Sequence, residues 1–444
     1  MSMLDYRYKT ILAVALPLMA SSFIQSIVLI TDSSFLSRVS AEAFDAAGNG
    51  GLIYITVYMA LVGLGDASQI IIARRIGQNN TKAIAALFHS SVFTNLIFAL
   101  VLFAISYLLM PDLIYGYSKH KDVALLQGEY ISIRSFSLFF AMISLSIQAV
   151  FFANGKTWVV LLSAIITASS NVFLDYSMIF GNFNFPKMGL AGAAWASTLA
   201  DGLGMLTLLF FLIKSKESKA FELWRKIRIK PEIIKELFQI GGPLMLQGFL
   251  ALATWTIFFT WLEQRGKFEL TVSQNIRSIY FIAFVPIWGF AATTKTYISQ
   301  YIGAHQWSSI KIVQRRIQFL TVLFLLVLMH GALLYPSKLI LIINPNELYL
   351  EKSSEILRLI SGSILIFGLS SVYFQTINGS GNTRSSFMIE LISVSIYILS
   401  AFLFIRILVL DIYWVWFVEY IYFITLGLAS IIYLRTSNWR EKKI

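Results

Sequence analysis

Ile240-Gly241-Gly242-Pro243-Leu244 sits inside a long apolar run, and Leu16-Pro17-Leu18 sits inside another one 226 residues earlier. The same offset pairs Asn49 with Asn275, Ile53-Tyr54 with Ile279-Tyr280 and Gly63 with Gly289. It also pairs Ile76-Gly77 with Ile302-Gly303 and Gly155-Lys156-Thr157 with Gly381-Asn382-Thr383, without a gap. The chain repeats itself. Inside a membrane, a doubled chain points to a transporter, because two packed halves can rock about a central site.

The membrane follows from composition. The 444 residues are 57% hydrophobic and only 13% charged. Stretches of about 20 apolar residues recur, the length that crosses a bilayer as a helix. About twelve are expected: roughly 10–37, 48–76, 88–111, 123–152, 157–180, 188–213, 235–262, 272–302, 313–335, 350–376, 383–409 and 411–434. The runs are too long and too poorly alternating for strands. The fold class is therefore an all-α polytopic membrane protein with two six-helix repeats. Six is even, so both repeats start on the same side and run parallel about an axis along the membrane normal. The halves are read as 1–213 and 235–444, with 214–234 as a charged cytoplasmic linker.

The net charge of +12 does not indicate nucleic acid. With the N-terminus inside, most Lys and Arg fall in cytoplasmic loops and tails, which places both termini in the cytoplasm. Such charge also attracts anionic membrane lipid. There is no cysteine, so no disulfide, thiol catalysis or thiolate metal site is available. His89, His120, His305 and His330 lack ligand spacing and are read as packing residues. No GxxxxGK[ST] stretch occurs, so ATP bound by this chain is not the energy source. No cofactor is expected, and an intramembrane enzyme is disfavoured for want of a converging nucleophile and base. Pro17, Pro243 and Pro286 fall inside helices, and Pro17 is a candidate bending point.

Subtracting one half from the other isolates chemistry. Ionisable groups inside a bilayer are costly, about 2.5–3.5 kcal/mol each on insertion scales, and they mark functional sites. The first half holds Asp32, Asp66, Asp175 and Asp201, with Asn171 one turn before Asp175 on the same helical face. Their counterparts are Phe258, Ala292, Ala401, Gly427 and Tyr397. Asp32, Asn171, Asp175 and the hydroxyls of Ser197 and Thr198 fall at similar depth in the outer half. Two carboxylates, an amide oxygen and a hydroxyl suit either Na⁺ as hard oxygen ligands or a proton shared between close acids. Asp66, Asp201 and Gln69 are accessory polar candidates. Lys295, which replaces Gln69, and Glu390 stand at equal depth in the second half and are a candidate buried ion pair. Arg134, Arg277 and Arg358, near outer helix ends, are read as snorkelling.

These residues resemble motifs of the MATE family of multidrug and toxic compound extrusion transporters, over essentially the whole chain. Thr31-Asp32-Ser33-Ser34-Phe35-Leu36-Ser37-Arg38-Val39 resembles the V-D-T-x-F-V-G-R-L-G end of helix 1, with Ser37 in place of Gly. Asn171-x-x-x-Asp175-Tyr176-x-x-Ile179-Phe180-Gly181 resembles the helix 5 signature. Gly189-Leu190-Ala191-Gly192-Ala193-Ala194-Trp195-Ala196-Ser197 resembles the start of helix 6. Asn378-Gly379-Ser380-Gly381-Asn382-Thr383-Arg384 resembles the G-x-G-[DN]-T-[RK] loop. The resemblance implies a V-shaped fold of two bundles in a bacterial inner membrane, working as a monomer. It implies antiport, in which a small organic compound leaves as H⁺ or Na⁺ enters. It assigns the N-lobe cation site to Asp32, Asp175, Asn171 and Ser197, with Thr198 beside it. Many relatives carry a helix 7 glutamate where this chain has Ala251, with Gln247 a turn earlier. That departure shifts the coupling site to the N-lobe. The alternative implied by the wider superfamily is a flippase for lipid-linked oligosaccharides or another amphipathic lipid precursor.

Overall fold

Within hydrocarbon, backbone N–H and C=O groups find no water, so each apolar run satisfies its own hydrogen bonds by forming a helix. The computed structural model describes residues 3–118 and 120–441, and no strand occurs among them. Among the described residues, eleven helices are long and apolar enough to cross a bilayer, and one bent pair makes a twelfth span. In chain order they are span 1 (Tyr8–Leu36), span 2 (Ala41–Gly77), span 3 (Lys82–Tyr117), span 4 (Lys121–Ser135 and Ser137–Ala153), span 5 (Trp158–Phe180) and span 6 (Gly189–Lys214). The second series is span 7 (Pro231–Arg265), span 8 (Lys267–Gly303), span 9 (Trp307–Leu334), span 10 (Glu347–Gly379), span 11 (Thr383–Ile407) and span 12 (Ile412–Thr436).

Two spans depart from a straight helix. Span 4 bends by 41° at Phe136. There the Phe136 and Phe139 amides bond three residues back, to Ile133 and Phe136, instead of four. This tightens the turn without proline or glycine. In span 3 a π-helical turn, Ile105–Leu109, precedes Pro111. Proline cannot donate a backbone bond, and a widened turn just before it absorbs the mismatch.

The repeat is visible in the backbone. Pro17 and Pro243 both lie inside helices. Spans 2 and 8 each run 37 residues and end at Gly77 and Gly303. Asn79 (φ 54°) and His305 (φ 56°) adopt the same left-handed turn, as do Gly155 (φ 70°) and Gly381 (φ 81°).

Packing divides the chain at different points from those read in the sequence. The first compact unit runs from Leu16 to Met245, and the second joins the segment ending at Ala15 to Leu246 and beyond. Span 1 and span 7 are each shared, and Pro17 and Pro243 lie within two residues of the changeovers. Residues 214–234, expected to be a linker, belong to the first unit and fold onto it. Lys156 Nζ pairs with the buried carboxylate of Glu217 at 2.6 Å. His89 binds the carbonyl of Leu223 at 2.8 Å and accepts from the amide of Arg228 at 3.2 Å. His89 is thus a packing residue, as read, but it anchors this segment specifically.

In the first unit, spans 5 and 6 approach so closely that a Cβ on Gly192 would lie 2.6 Å from the carbonyl oxygen of Met178. Glycine there permits the two backbones to touch. In the second unit, Trp416, Tyr280, Phe258 and Tyr397 form an aromatic core. The chain's start is threaded onto that unit. The Leu4 amide donates to Gln300 Oε1 at 3.0 Å, and the Tyr301 and Tyr297 hydroxyls donate to the carbonyls of Leu4 and Asp5 at 2.9 and 2.8 Å.

Candidate functional site

Span 5 carries Asn171 and Asp175 one turn apart, so both project from one face. The helix stops at Gly181, whose left-handed conformation (φ 79°) caps it. This fixes Asp175 about one and a half turns from the helix end. Asp175 is fully buried and Asn171 nearly so. Asp32, four residues before the end of span 1, is half-buried. The carboxyl groups of Asp32 and Asp175 come within hydrogen-bond reach of each other. Neither has an ion-pair partner among the described residues.

Span 6 completes the group. Asn171 Nδ2 donates to Ser197 Oγ at 3.2 Å. Asn171 Oδ1, Asp32 Oδ1 and both oxygens of Asp175 are buried and receive no hydrogen bond from the described residues. Buried polar atoms are usually satisfied. A cluster of acceptor oxygens without donors has the chemistry to take up a proton or a cation. Thr198 is the next residue along span 6. Its hydroxyl donates to the Ala194 carbonyl at 2.8 Å, a bond back into its own helix. Among the described residues, no group of three His, Cys, Asp or Glu side chains forms a metal cluster.

The other candidates fall elsewhere. Asp201 is held by Arg134, with Nη1 to Oδ2 at 3.0 Å, and accepts from Ser137 Oγ at 2.6 Å. The Arg134 guanidinium also lies 4.3 Å over the Tyr54 ring. Arg134 was expected to snorkel outward. Its side chain is instead 11% exposed and turned inward, because Asp201 and the Tyr54 face offer it partners. Arg277 also covers a ring, that of Phe259, at 5.0 Å. Asp66 and Gln69 lie on span 2, and Gln69 is buried.

In the second unit Lys295 and Glu390 stand on spans 8 and 11. Both residues are buried, and Glu390 Oε1 accepts from Tyr422 OH at 2.6 Å. Gln247 enters an uncharged network, donating to Ser386 Oγ at 2.9 Å beside Asn378. Sequence reasoning missed one acid. Glu419, on span 12, is buried between the hydroxyls of Tyr280 and Tyr397. An ionisable residue seven places into an apolar run was the available signal.

The MatE family model matches residues 17–177 and again residues 243–403. The chain belongs to the MatE family. The two matches of this MatE protein are 226 residues apart at both ends, the offset of the internal repeat. It is a multi-pass membrane protein of a transporter family. A probable multidrug resistance protein NorM of Thermotoga maritima is 26% identical over 87% of this chain and 83% of its own length. A NorM protein of Synechocystis is 23% identical over 84% of this chain and 82% of its own length. The fold matches a solved outward-facing multidrug resistance MATE family transporter of the MOP superfamily, with a TM-score of 0.89 at 17% identity. That likeness covers 98% of this chain and 97% of the other. A MOP superfamily transporter from Pyrococcus furiosus matches with a TM-score of 0.87, also at 17% identity.

Proposed function

We propose that this MatE protein is a cation-coupled exporter of small organic compounds in a bacterial plasma membrane. Asp32, Asp175, Asn171 and Ser197 bind the coupling H⁺ or Na⁺. The carrying observation is the close approach of two carboxyl groups, three of whose four oxygens are buried without a donor. Two unit charges about 4 Å apart repel by about 4 kcal/mol at an effective dielectric of ~20. A proton between them, or Na⁺ with the Asn171 oxygen and the Ser197 hydroxyl added, removes that repulsion. The multidrug resistance names of the NorM relatives support the substrate class.

With both termini cytoplasmic, Asp32 and Asp175 lie in the outer half of the membrane, where an ion entering from outside reaches them. Binding selects a conformer only through a difference in affinity. Filling the site draws span 1 toward span 5, and Pro17 gives span 1 a point at which to bend. The compound is released outward in the ion-bound form and reloaded after the ion leaves inward. The monomer is sufficient for this cycle.

Efflux from proteoliposomes under separately imposed H⁺ and Na⁺ gradients tests the reading. Wild type should drive efflux of an organic cation with one of the two, and Asp32→Asn should lose at least about tenfold of it, more than about 1.4 kcal/mol of coupling. Undiminished coupled efflux in Asp32→Asn rejects the site. Failure of both gradients to move a panel of organic cations rejects the exporter.

A further inference from the structure

The second unit contains a buried acid that the export cycle above does not use. Glu419 is 2% exposed. Its Oε2 accepts from Tyr280 OH at 2.7 Å and its Oε1 from Tyr397 OH at 3.1 Å. Tyr280 comes from span 8 and Tyr397 from span 11, so the carboxyl group joins three helices. Phe258 of span 7 packs against Tyr397 and Trp416 with ring centroids 5.8 and 5.5 Å apart. From span 10, Ser363 faces the Tyr280 hydroxyl. On span 12 itself, Tyr422 lies 5.8 Å from the Tyr397 ring and donates to Glu390. The groups bonded to Glu419 are thus both phenols.

The location is informative. Shifted by 226, Tyr397 is Asn171, Phe258 is Asp32 and Tyr280 is Tyr54. The residues around Glu419 are thus the second copies of residues that build or border the first unit's acidic group. Glu419 itself corresponds to Ala193. The second half has Phe258 and Ala401 in place of the paired aspartates and holds one acid in the corresponding region, on a different helix.

The geometry serves both protonation states. As a carboxylate, Glu419 receives one phenolic hydrogen bond on each oxygen. As a carboxylic acid, its own O–H donates to the Tyr280 oxygen, and that hydroxyl turns to donate to Ser363 Oγ, which itself donates to the Ile360 carbonyl and has lone pairs free. No buried group is orphaned in either form, which a reversible proton site requires. Na⁺ is poorly suited, because one carboxylate and two hydroxyls already engaged as donors leave too few free oxygens. We propose that Glu419 is a second proton-binding site, taking its proton from water and becoming a neutral acid. It lies in the other unit from Asp32 and Asp175, and it stands whether those two bind H⁺ or Na⁺.

The test uses full-length purified protein with the first site silenced by Asp32→Asn and Asp175→Asn. Infrared difference spectra between about pH 5 and about pH 9, which brackets ordinary and buried carboxyl titration, read the carboxylic acid C=O band. The band should persist in that double variant and lose one carboxyl's intensity when Glu419→Gln is added, since the amide accepts from one phenol, donates to the other and takes no proton. Glu390→Gln in the same background should leave the Glu419 contribution in place. An acid that merely ties three helices together keeps one protonation state and gives no difference band, and that result overturns the proposal. A band unchanged by Glu419→Gln overturns it too. If Glu419→Gln does not fold, Tyr280→Phe with Tyr397→Phe decides. Removing both donors should shift the midpoint by about half a pH unit or more, and an unmoved midpoint rejects the site.

Discussion

Asn171 of span 5 donates to Ser197 of span 6 at 3.2 Å, so one helix sets the orientation of the other's amide. The bond commits Nδ2 and leaves Oδ1 without a donor. Ser197→Ala removes the bond that orients the amide. A hydrogen bond of this kind contributes about 1 kcal/mol, so the ion concentration for half-maximal efflux should rise roughly fivefold. Thr198→Ala, one residue on, should change it less than twofold, because Thr198 bonds to its own helix. Equal effects of the two variants would show that Ser197 does not orient Asn171.

Arg134 and Asp201 should behave as a unit. Removing one partner of a buried pair leaves the other charge exposed to a low dielectric and costs about 3–5 kcal/mol. Asp201 is 31% exposed, so about 1–3 kcal/mol is expected after screening. Thermal unfolding of Arg134→Met, Asp201→Leu and the double variant measures the coupling. The double variant should be more stable than the sum of the single losses predicts, by about 1 kcal/mol or more. Additive losses contradict the pair.

Gly192→Ala acts through geometry. The new methyl meets the Met178 carbonyl oxygen and carbon at 2.6 and 2.7 Å. Backbone cannot yield as a flexible side chain does, so spans 5 and 6 must part. Asp175 is three residues from Met178 and Ser197 is five from Gly192. The variant should therefore lower both the melting temperature and the affinity for the coupling ion. A stable protein with unchanged ion dependence would show that the spans tolerate separation.

The start of the chain gives a pH prediction. The Arg7 guanidinium, then the Thr10 hydroxyl, hold the Asp5 carboxyl well below the usual carboxylate range. A depressed value stabilises the folded form above the unfolded value, about 4, and the gain is lost only as pH falls through the folded value. Between about pH 5 and about pH 8 the Leu4–Arg7 segment should show constant hydrogen-exchange protection, after correction for intrinsic rates. Asp5→Asn should reduce protection at every pH, by less than about 1 kcal/mol, since the pair is solvent-exposed. A protection change within that window contradicts the assignment.

Much of this was legible in the residues. The offset from Pro17 to Pro243 equals the spacing of the two family matches, because helix ends, glycines and turns need the same residues in both copies. Asp32, Asn171 and Asp175 were read together because their spans put them at one depth and i, i+4 spacing fixed a face; Ser197 was set apart from Thr198 only by the motif at the start of helix 6. Arg134 was misread because a basic residue near a helix end ordinarily reaches outward, and only tertiary structure shows Asp201 and Tyr54 waiting inside. The hydroxyl of Tyr422 at Glu390 was not foreseen, because depth along a helix says nothing of what a neighbouring span presents. Glu419 escaped because the subtraction began from acids of the first half, and Ala193 is not one. The bend at Phe136 carries no proline or glycine to announce it.

The left-handed turns at Asn79 and His305, and at Gly155 and Gly381, mean that the molecule carries its own alignment. Backbone geometry is shared where side-chain identity is not: His305 holds the turn that Asn79 holds in the other copy. Each half is therefore a ready control for the other. Short segments such as 78–81 and 304–307 are exchangeable in register without a gap, so grafts between the copies separate what the scaffold demands from what each copy was left free to change.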